Sequence, residues 1–509
     1  MRHLVHRILD LAAETTPNRL AVTFGDERLT FAEADARANR TARALTALGV
    51  RPGDRILFWS AIGLRCVDAY FGTLRAGACF VPLNPEFSPA EVEPIVAYVR
   101  PALLLVDGPR MEAGEALATR LGLPLAVMGT GGHAVPGGDL DAICARMSEA
   151  ALEGVEVADE DLESIFLTSG STGLPKGVMV PHRATWYRAM QASSFPAPAC
   201  GGRGDVSMFP LFHFAGWAML LGAWAHRRAV HLTSSAHAQA LLGLVERWQA
   251  TYLYAIPAVW ERILACRRNF DTRSLAYINT GTSRVEPDLM QRLQARFPGA
   301  RSAIMYGSTE FGRGLALGHD DIDRKPYSVG LPAPGAQAGI VDGELRLRGE
   351  TLMAGYFELP EQTADVLRDG WYCTGDLAER DDEGYFTITG RRREIIRSGG
   401  ETIAPTEVES ALADCPGVRE VAVVGLPDSH WGELVCAAVV LEPGASAPGV
   451  EDLRRHVGER LAAFKHPRRV AVVDALPRTA ATGQIQRSRI RDDILVADAR
   501  APAARHTGA

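Results

Sequence analysis

A run of residues at 167–177 carries the side chains best suited to bind phosphate. It reads Leu-Thr-Ser-Gly-Ser-Thr-Gly-Leu-Pro-Lys-Gly and directly follows a predicted strand. Glycines allow a tight turn whose N–H groups point to one place, while hydroxyls and one ammonium add donors and positive charge. The run is not a Walker loop, because a glycine follows the lysine, and no G-x-G-x-x-G opens a helix here. The predicted phosphate cradle consists of Thr168, Ser169, Gly170, Ser171, Thr172, Gly173 and Lys176.

Further motifs follow in a fixed order along the chain: Tyr306-Gly-Ser-Thr-Glu310, Tyr372-Cys-Thr-Gly-Asp376, Gly390-Arg-Arg-Arg-Glu394, Ser398-Gly-Gly-Glu401 and Pro477-Arg-Thr-Ala-Ala-Thr-Gly-Gln-Ile-Gln-Arg487. With the phosphate loop they make the sequence resemble the adenylate-forming superfamily over nearly its whole length. That group comprises acyl-CoA synthetases, nonribosomal-peptide adenylation domains and luciferases, and this sequence is most similar to a stand-alone acyl- or aryl-CoA synthetase. The resemblance implies a ligase that uses MgATP to activate a carboxylic acid as acyl-AMP and then transfers the acyl group to CoA.

The resemblance also implies roles for individual residues in nucleotide binding. The Tyr306 ring and Gly307 would face adenine, Thr309 would bind a phosphate, and Glu310 would hold Mg²⁺ as a hard oxygen ligand, with Thr168 beside it. Because the transition state gathers charge on phosphoryl oxygens, catalysis would consist largely of positioning and electrostatic stabilisation. Residues further along would bind the rest of the nucleotide and CoA: Asp376 and Arg391 at the ribose, Gly281, Thr282 and Ser283 at the adenine and acyl pockets, and Gly399 and Gly400 at the pantetheine tunnel.

The segment 210–217, Pro-Leu-Phe-His-Phe-Ala-Gly-Trp, resembles the border of the acyl pocket. His213 would close that pocket or orient the acid; a histidine packed under aromatic residues is the alternative. Phe214, Trp217 and Tyr254 either shape a pocket for a planar or medium-sized acid or belong to the core.

The C-terminal motif departs from the family pattern. Relatives carry Pro-Arg-Thr-x-x-Gly-Lys, whose lysine bridges the carboxylate and the α-phosphate, whereas this chain has Gln484 there and one extra residue. A neutral amide forms a weaker hydrogen bond than an ammonium.

Four interpretations of Gln484 follow. The first is a natural or engineered change that slows adenylation, and the second is compensation by another cation. The third is an atypical acid or a non-CoA acceptor, such as an amine, a carrier protein or an aryl amine diazotised with nitrite, and the fourth is a non-catalytic binding protein. The compensating cation would be Lys465, Arg478, Arg487 or Arg489.

The elements that must position these residues alternate in type. Helical spacing at 31–48, 67–75, 238–249 and 287–297 alternates with strand-like runs at 55–59, 79–83, 103–106, 164–168 and 252–255. This order predicts βαβ units and a mainly parallel sheet, followed from 339 to 389 by short, glycine-punctuated strands. We predict an α/β fold with a large adenylating domain over 1–390, including a β-rich subdomain, a small mobile αβ domain over 391–496, and a disordered tail over 497–509.

Composition narrows the class of protein. The 509 residues carry 54 basic and 61 acidic side chains, and a net charge of −7 argues against a nucleic-acid binder. The basic residues comprise 51 arginines and only three lysines: Lys176, Lys325 and Lys465. Eight scattered cysteines without a Cys-x-x-Cys pair argue against a zinc or disulfide framework and favour a reducing compartment. No apolar run is long enough to span a membrane, so we expect a cytoplasmic enzyme of unassigned oligomeric state.

Overall fold

The computed structural model describes residues 2–130, 138–168, 175–192, 203–398, 401–428, 431–479 and 483–500. Contacts divide the chain into two compact units. The first comprises Met1–Pro326, Gly330–Ala338 and Leu347–Tyr372, and the second comprises Tyr327–Val329, Gly339–Arg346 and Cys373–Ala509. The predicted domain boundary after residue 390 stays a prediction.

The helices, in chain order, are α1 (Arg7–Thr15), α2 (Phe31–Ala47), α3 (Leu64–Arg75), α4 (Pro89–Val99), α5 (Met111–Leu121), α6 (Leu140–Cys144), α7 (His182–Ala192), α8 (Phe214–Ala225), α9 (Ala238–Trp248), α10 (Pro257–Leu264), α11 (Pro287–Arg296), α12 (Pro360–Val366), α13 (Pro405–Leu412), α14 (Val450–Val457) and α15 (Arg487–Arg500). Helix α2 shows how the sequence sets such limits. Thr30 and Glu33 form a reciprocal cap at its start, and Gly49 adopts φ +90° just beyond its end. Helix α15 continues to Arg500, so the predicted tail is helical at 497–500, and its remainder lies outside the described residues.

The strands are β1 (Leu20–Phe24), β2 (Glu27–Thr30), β3 (Arg55–Trp59), β4 (Cys79–Pro82), β5 (Leu103–Asp107), β6 (Leu125–Met128), β7 (Leu162–Thr168), β8 (Lys176–Pro181), β9 (Asp205–Ser207), β10 (Val230–Leu232), β11 (Tyr252–Tyr254), β12 (Tyr277–Gly281), β13 (Arg301–Ser308), β14 (Gly312–Leu317), β15 (Ser328–Pro332), β16 (Ala336–Val341), β17 (Glu344–Gly349), β18 (Gly355–Tyr356), β19 (Leu367–Arg368), β20 (Trp371–Arg380), β21 (Phe386–Arg391), β22 (Ile396–Ser398), β23 (Glu401–Ile403), β24 (Val418–Asp428), β25 (Gly432–Leu441) and β26 (Arg469–Val472).

One sheet of the first unit has the strand order β18-β8-β7-β4-β3-β5-β6. The pairs from β7 to β6 are parallel, as the alternation of helices and strands predicted. Strands β8 and β18 then extend the sheet by antiparallel pairs. The predicted mixed α/β fold is confirmed, and the antiparallel extension carries one end of the phosphate-loop hairpin.

A second path of paired strands in this unit runs β14-β13-β12-β11-β9-β10-β1-β2. Its pairs are parallel from β13 to β1 and antiparallel at both ends. The predicted Tyr306–Glu310 motif begins on the last three residues of β13 and ends in the turn that leads to β14. That motif therefore lies where the chain reverses direction after a buried strand.

The second unit contains the β20–β21 pair and a sheet ordered β23-β22-β25-β24, with β26 parallel to β25. Alternate residues of the β24–β25 hairpin face opposite sides. Val423 and Val435 pack with α13 and α14, whereas Val424 and Cys436 pack with α15. This small α/β layer is the predicted C-terminal architecture.

Candidate active site

The phosphate-loop hairpin brings Thr168 and Lys176 together. Thr168 ends β7, Lys176 begins β8, and the two residues are register partners. The Thr168 hydroxyl donates to the Lys176 carbonyl at 3.4 Å. The other predicted cradle residues, Ser169, Gly170, Ser171, Thr172 and Gly173, lie outside the described residues.

The Lys176 ammonium lies over the ring of Tyr356, with Nζ 4.7 Å from the ring centroid. Tyr356 is buried, with 6% of its surface exposed. Strand β18 pairs with β8 so that Tyr356 opposes Val178. The lysine and the ring that it contacts are therefore carried by directly paired strands.

Glu310 is held through both its backbone and its carboxylate. Its carbonyl accepts from the Met353 N–H at 2.8 Å and from the Arg188 guanidinium at 3.1 Å. Its side-chain Oε1 accepts from the Tyr356 hydroxyl at 2.9 Å. The structure thus brings Lys176 and Glu310 to opposite parts of one tyrosine side chain.

Arg188 on α7 is a buried cation that contacts the Glu310 backbone, with 3% of its surface exposed. It also donates to the Thr351 carbonyl at 2.8 Å, and its guanidinium lies 4.5 Å from the centroid of the Phe214 ring. Burial lowers its pKa to about 10, so it stays charged at neutral pH. Arg188 therefore ties the Glu310 backbone to the segment that leads to β18.

Tyr306, Gly307 and Thr309 lie at the end of β13 and in the following turn, half-buried except for the exposed glycine. A Cβ on Gly307 would come within 2.2 Å of the Gly312 carbonyl oxygen, so no larger residue fits there. Tyr372 lies nearby and hydrogen-bonds Ser308. Burial raises its pKa well above the usual range, and the charge of Glu310 adds to this.

The predicted adenine and acyl-pocket segment, Gly281, Thr282 and Ser283, leaves β12 in an unusual conformation. A Cβ on Gly281 would lie 2.2 Å from the Met305 carbonyl and 2.9 Å from the Tyr254 hydroxyl. Thr282 adopts φ +70°, a region that a β-branched residue rarely occupies.

The Tyr254 hydroxyl lies beside Gly281, and other aromatic side chains pack on Tyr254 or belong to the predicted border of the acyl pocket. The rings of Tyr254 and Phe209 are 4.9 Å apart, and His213, at the start of α8, packs on Phe212 at 4.5 Å. Burial lowers the pKa of His213 to about 4, which keeps the imidazole neutral at pH 7. Trp217, by contrast, is fully buried and stacks on Tyr70 at 3.8 Å. Of the two predicted alternatives, a pocket residue or a core residue, Trp217 is therefore a core residue.

In the second unit, Asp376 and Arg391 are register partners on β20 and β21. The Arg391 Nε donates to Asp376 Oδ1 at 3.0 Å, and Asp376 is buried, with 7% of its surface exposed. The structure therefore brings the two predicted ribose ligands together. Gly399 and Gly400 lie outside the described residues.

Gln484 is anchored by a backbone pair with Thr479. Its N–H donates to the Thr479 hydroxyl at 3.0 Å, and its carbonyl accepts from the Thr479 N–H at 2.9 Å. The four cations considered as substitutes each have a carboxylate partner: Lys465 with Glu407, Arg478 with Glu420, Arg487 with Glu394 and Glu409, and Arg489 with Asp493. Each would have to exchange that partner to serve a phosphate.

Two residues of this site were missed by the sequence analysis: Tyr356 and Arg188. Tyr356 is 46 positions from Glu310 and 180 from Lys176, and a lone Gly-Tyr pair carries no chemical signal. Arg188 sits on a helix where an arginine is ordinarily a surface residue. The pairing of β8 with β18 reveals Tyr356, and the burial of its side chain reveals Arg188.

We searched the described residues for metal-binding groups of side chains and for membrane-spanning helices. There, no group of three or more His, Cys, Asp or Glu side chains could hold a metal ion by itself. In the same ranges, no helix combines the length and the apolarity needed to cross a membrane.

Comparison with known proteins agrees with this architecture. The AMP-binding enzyme family matches residues 9–357, and the AMP-binding enzyme C-terminal domain matches residues 407–482. Feruloyl-CoA synthase of Amycolatopsis sp is 34% identical over 499 residues, covering 94% of this chain and 96% of the relative. Indoleacetate–CoA ligase of Aromatoleum aromaticum is 32% identical over 505 residues, covering 95% and 96%. The crystal structure of ATP-bound MatB from Rhodopseudomonas palustris superposes with a TM-score of 0.88 at 28% identity, covering 97% and 99%.

The chain belongs to the AMP-binding enzyme family, and the resemblance to the adenylate-forming superfamily is confirmed. It is an ATP-dependent acid–thiol ligase, which activates a carboxylic acid and transfers it to CoA. The predicted substrates ATP and CoA agree with this family.

Proposed function

We propose that this ligase activates a ring-bearing, planar carboxylic acid, and that Lys176, Thr309 and Glu310 support adenylate formation in the first unit. The observation that carries the proposal is the meeting of the Lys176 ammonium and the Glu310 carboxylate at Tyr356. A cation for phosphate and an oxygen ligand for a cation are the two groups that MgATP requires.

The residues present fit a magnesium ion. Tyr356 binds Oε1 of Glu310, and the other carboxylate oxygen has the hard-donor chemistry that Mg²⁺ prefers. Mg²⁺ usually keeps several waters and binds through one or two carboxylates together with substrate phosphates, which agrees with a single glutamate here. Glu310 and Thr168 would hold the ion. When bound, the ion would neutralise charge on the phosphate oxygens.

The chain's own groups would position the reactants. Lys176 would bind phosphate oxygens of ATP as a single positive charge. Tyr306 would offer adenine its ring face, Gly307 would allow the nucleotide to approach the backbone, and Thr309 would donate to a phosphate. The acid's carboxylate would then attack the α-phosphorus and pyrophosphate would leave. In the second unit, Asp376 would accept from the ribose hydroxyls.

The side chains beside Gly281 support a planar acid. Tyr254 is half-buried and packs on the buried Phe209, and the ring of an aromatic acid would make a stacked or edge contact with Tyr254. His213, neutral because it is buried, would orient the carboxylic acid without adding charge. The names of two relatives, feruloyl-CoA synthase and indoleacetate–CoA ligase, denote ring-bearing acids of this kind.

The test is a panel of acids measured for acid-dependent pyrophosphate release, followed by mass spectrometry of the CoA product. Cinnamate, benzoate and arylacetate acids should give the highest kcat/KM, and linear fatty acids of equal carbon number should be at least tenfold poorer. Equal turnover of linear and ring acids would contradict the substrate class.

The metal role has its own test. Glu310→Gln should raise the Mg²⁺ concentration needed for half-maximal adenylation, because an amide oxygen is a weaker ligand than a carboxylate. Glu350→Gln is the matched control, since Glu350 is exposed and pairs with Arg183. An unchanged Mg²⁺ requirement in Glu310→Gln would remove Glu310 from the metal site.

A further inference from the structure

We propose that Tyr356 is a positioning residue for adenylation: its hydroxyl orients the Glu310 carboxylate and its ring holds the Lys176 ammonium. The inference rests on the proposed roles of Glu310 and Lys176. Neither the family comparisons nor the sequence motifs assign a role to this tyrosine.

The hydroxyl contact fixes the carboxylate in one orientation. The Tyr356 O–H donates to Oε1 of Glu310 at 2.9 Å, while the Glu310 carbonyl accepts from Met353 and Arg188. A half-buried carboxylate with both its backbone and one oxygen held loses little rotational freedom when it binds a cation. Carboxylates that ligate metals are typically held in this way, and removing the holding group commonly costs about 10- to 100-fold in metal affinity or activity.

The ring of Tyr356 contacts the positive charge of the site, the Lys176 ammonium. Lys176 Nζ lies 4.7 Å from the ring centroid, within the range of a cation–π attraction. The attraction holds the ammonium without supplying an anion that would neutralise it. The ammonium therefore keeps its charge for phosphate.

Backbone pairing makes the tyrosine rigid. The Phe357 N–H donates to the Gly177 carbonyl at 2.8 Å and the Ala354 N–H to the Met179 carbonyl at 2.9 Å, so Tyr356 is fixed to the strand that carries Lys176. The Tyr356 N–H donates to the Thr363 hydroxyl at 2.9 Å. One side chain on this short strand thus sets the positions of two groups of opposite charge.

Two substitutions separate the two contacts. Tyr356→Phe keeps the ring and removes the hydroxyl, so it should act through Glu310. Tyr356→Leu removes both contacts. Tyr98→Phe is the matched control, because the Tyr98 hydroxyl donates to the neighbouring Phe357 carbonyl and makes no hydrogen bond to Glu310.

The measurement is calorimetric binding of a non-hydrolysable ATP analogue, with Mg²⁺ and with EDTA, alongside the Mg²⁺ dependence of pyrophosphate release. Tyr356→Phe should lose about tenfold or more of the affinity that Mg²⁺ adds, with unchanged binding in EDTA. Tyr356→Leu should also weaken binding in EDTA by a few-fold. Tyr98→Phe should retain the parental Mg²⁺ dependence even where its thermal midpoint falls. A merely structural role would lower stability without changing the Mg²⁺ increment.

The double substitution Tyr356→Phe with Glu310→Gln separates the possible failures. If the hydroxyl acts through Glu310, the double variant should show the same Mg²⁺ dependence as Glu310→Gln alone. A parental Mg²⁺ increment in Tyr356→Phe, with a reduced one in Glu310→Gln, would overturn the inference and leave the proposed function standing. A parental increment in both would overturn the metal role of Glu310 itself, and with it this inference.

Discussion

The Lys465 ammonium donates to Oε1 of Glu407 at 2.5 Å. This pairing bears on the replacement of the family's C-terminal motif lysine by Gln484. The chain has only three lysines, Lys176, Lys325 and Lys465, and Lys465 is one of the cations predicted to compensate. An ammonium already neutralised by a carboxylate would have to give up that partner before it could serve a phosphate. The predicted compensation by Lys465 would therefore require this ion pair to open.

Gln484→Lys should accelerate adenylation by about tenfold or more, since one preorganised charged contact commonly contributes about 10²–10³ in rate. Thioester formation from a supplied acyl-adenylate should change by less than about twofold, because the resemblance assigns this residue to the first half-reaction only. The two half-reactions are timed by pyrophosphate release and by CoA consumption. Gln486→Lys, which adds the same charge two residues away, is the control. Equal adenylation in parent and Gln484→Lys would indicate compensation by another cation, and slower adenylation would favour an atypical acid or a non-CoA acceptor.

Asp376→Ala should weaken ATP binding by about tenfold or more, as expected when a charged hydrogen-bond acceptor is lost. It should leave the fold intact, because its partner Arg391 is partly exposed and can be solvated. Calorimetry with ATP and with 2′,3′-dideoxy-ATP makes the comparison, and Glu379→Ala, on the same strand but exposed, is the control. A variant that still prefers ATP over the dideoxy analogue as strongly as the parent does would show that Asp376 is not the ribose ligand.

Arg487→Leu should lower the free energy of unfolding of the second unit by about 2 kcal/mol, because it leaves two partly buried carboxylates without their cation. Its guanidinium bonds Glu394 at 2.6 Å and Glu409 at 2.6 and 2.9 Å. Urea denaturation followed by fluorescence is the measurement. Arg489→Leu, which removes an exposed arginine 3.9 Å from Asp493, should change the midpoint little. Equal losses in the two variants would contradict the importance of this partly buried network.

Acid should destabilise the first unit through His182. Burial lowers the pKa of His182 to about 3, and its Nδ1 accepts the Val5 N–H at 3.2 Å, so the folded state requires a neutral ring. The unfolded chain binds a proton below about pH 6.5, and this contribution to stability is therefore lost as pH falls from about 6.5 toward 3, by about 1.4 kcal/mol per pH unit. His182→Gln keeps an acceptor but cannot titrate, so urea midpoints between pH 7 and pH 5 should depend less on pH. An unchanged slope would mean that other groups, such as the neighbouring His6, control acid unfolding.

Several elements of the first unit followed from local pattern alone. Strand β3 has the predicted limits 55–59, and α2 ends at Ala47, one residue before the predicted limit. Helix α3 begins at Leu64, three residues before the prediction, because Leu64 is itself buried and joins the core face. Periodicity reports such features because they depend on neighbours close in sequence.

The site was predictable to the extent that single motifs carried its chemistry. Lys176 and Glu310 stand in recognisable strings, but the tyrosine that joins them does not, since its role depends on strand pairing between distant segments. Trp217 illustrates the same limit. Its type fitted either a pocket or the core, and only its stacking on Tyr70 decides the matter. The structure adds the contacts among the described site residues, and their functional roles stay predictions.

Strand β8 is paired on both edges, by β7 on one side and β18 on the other, and Val178 and Val180 on it are fully buried. Amide protons of such a strand exchange with solvent only when the surrounding core opens. The backbone that carries Lys176 should therefore be among the slowest-exchanging segments of the first unit. Mild heat or a low concentration of denaturant would loosen surface loops first. The strand backbone at Lys176 would keep its position until the core itself unfolds.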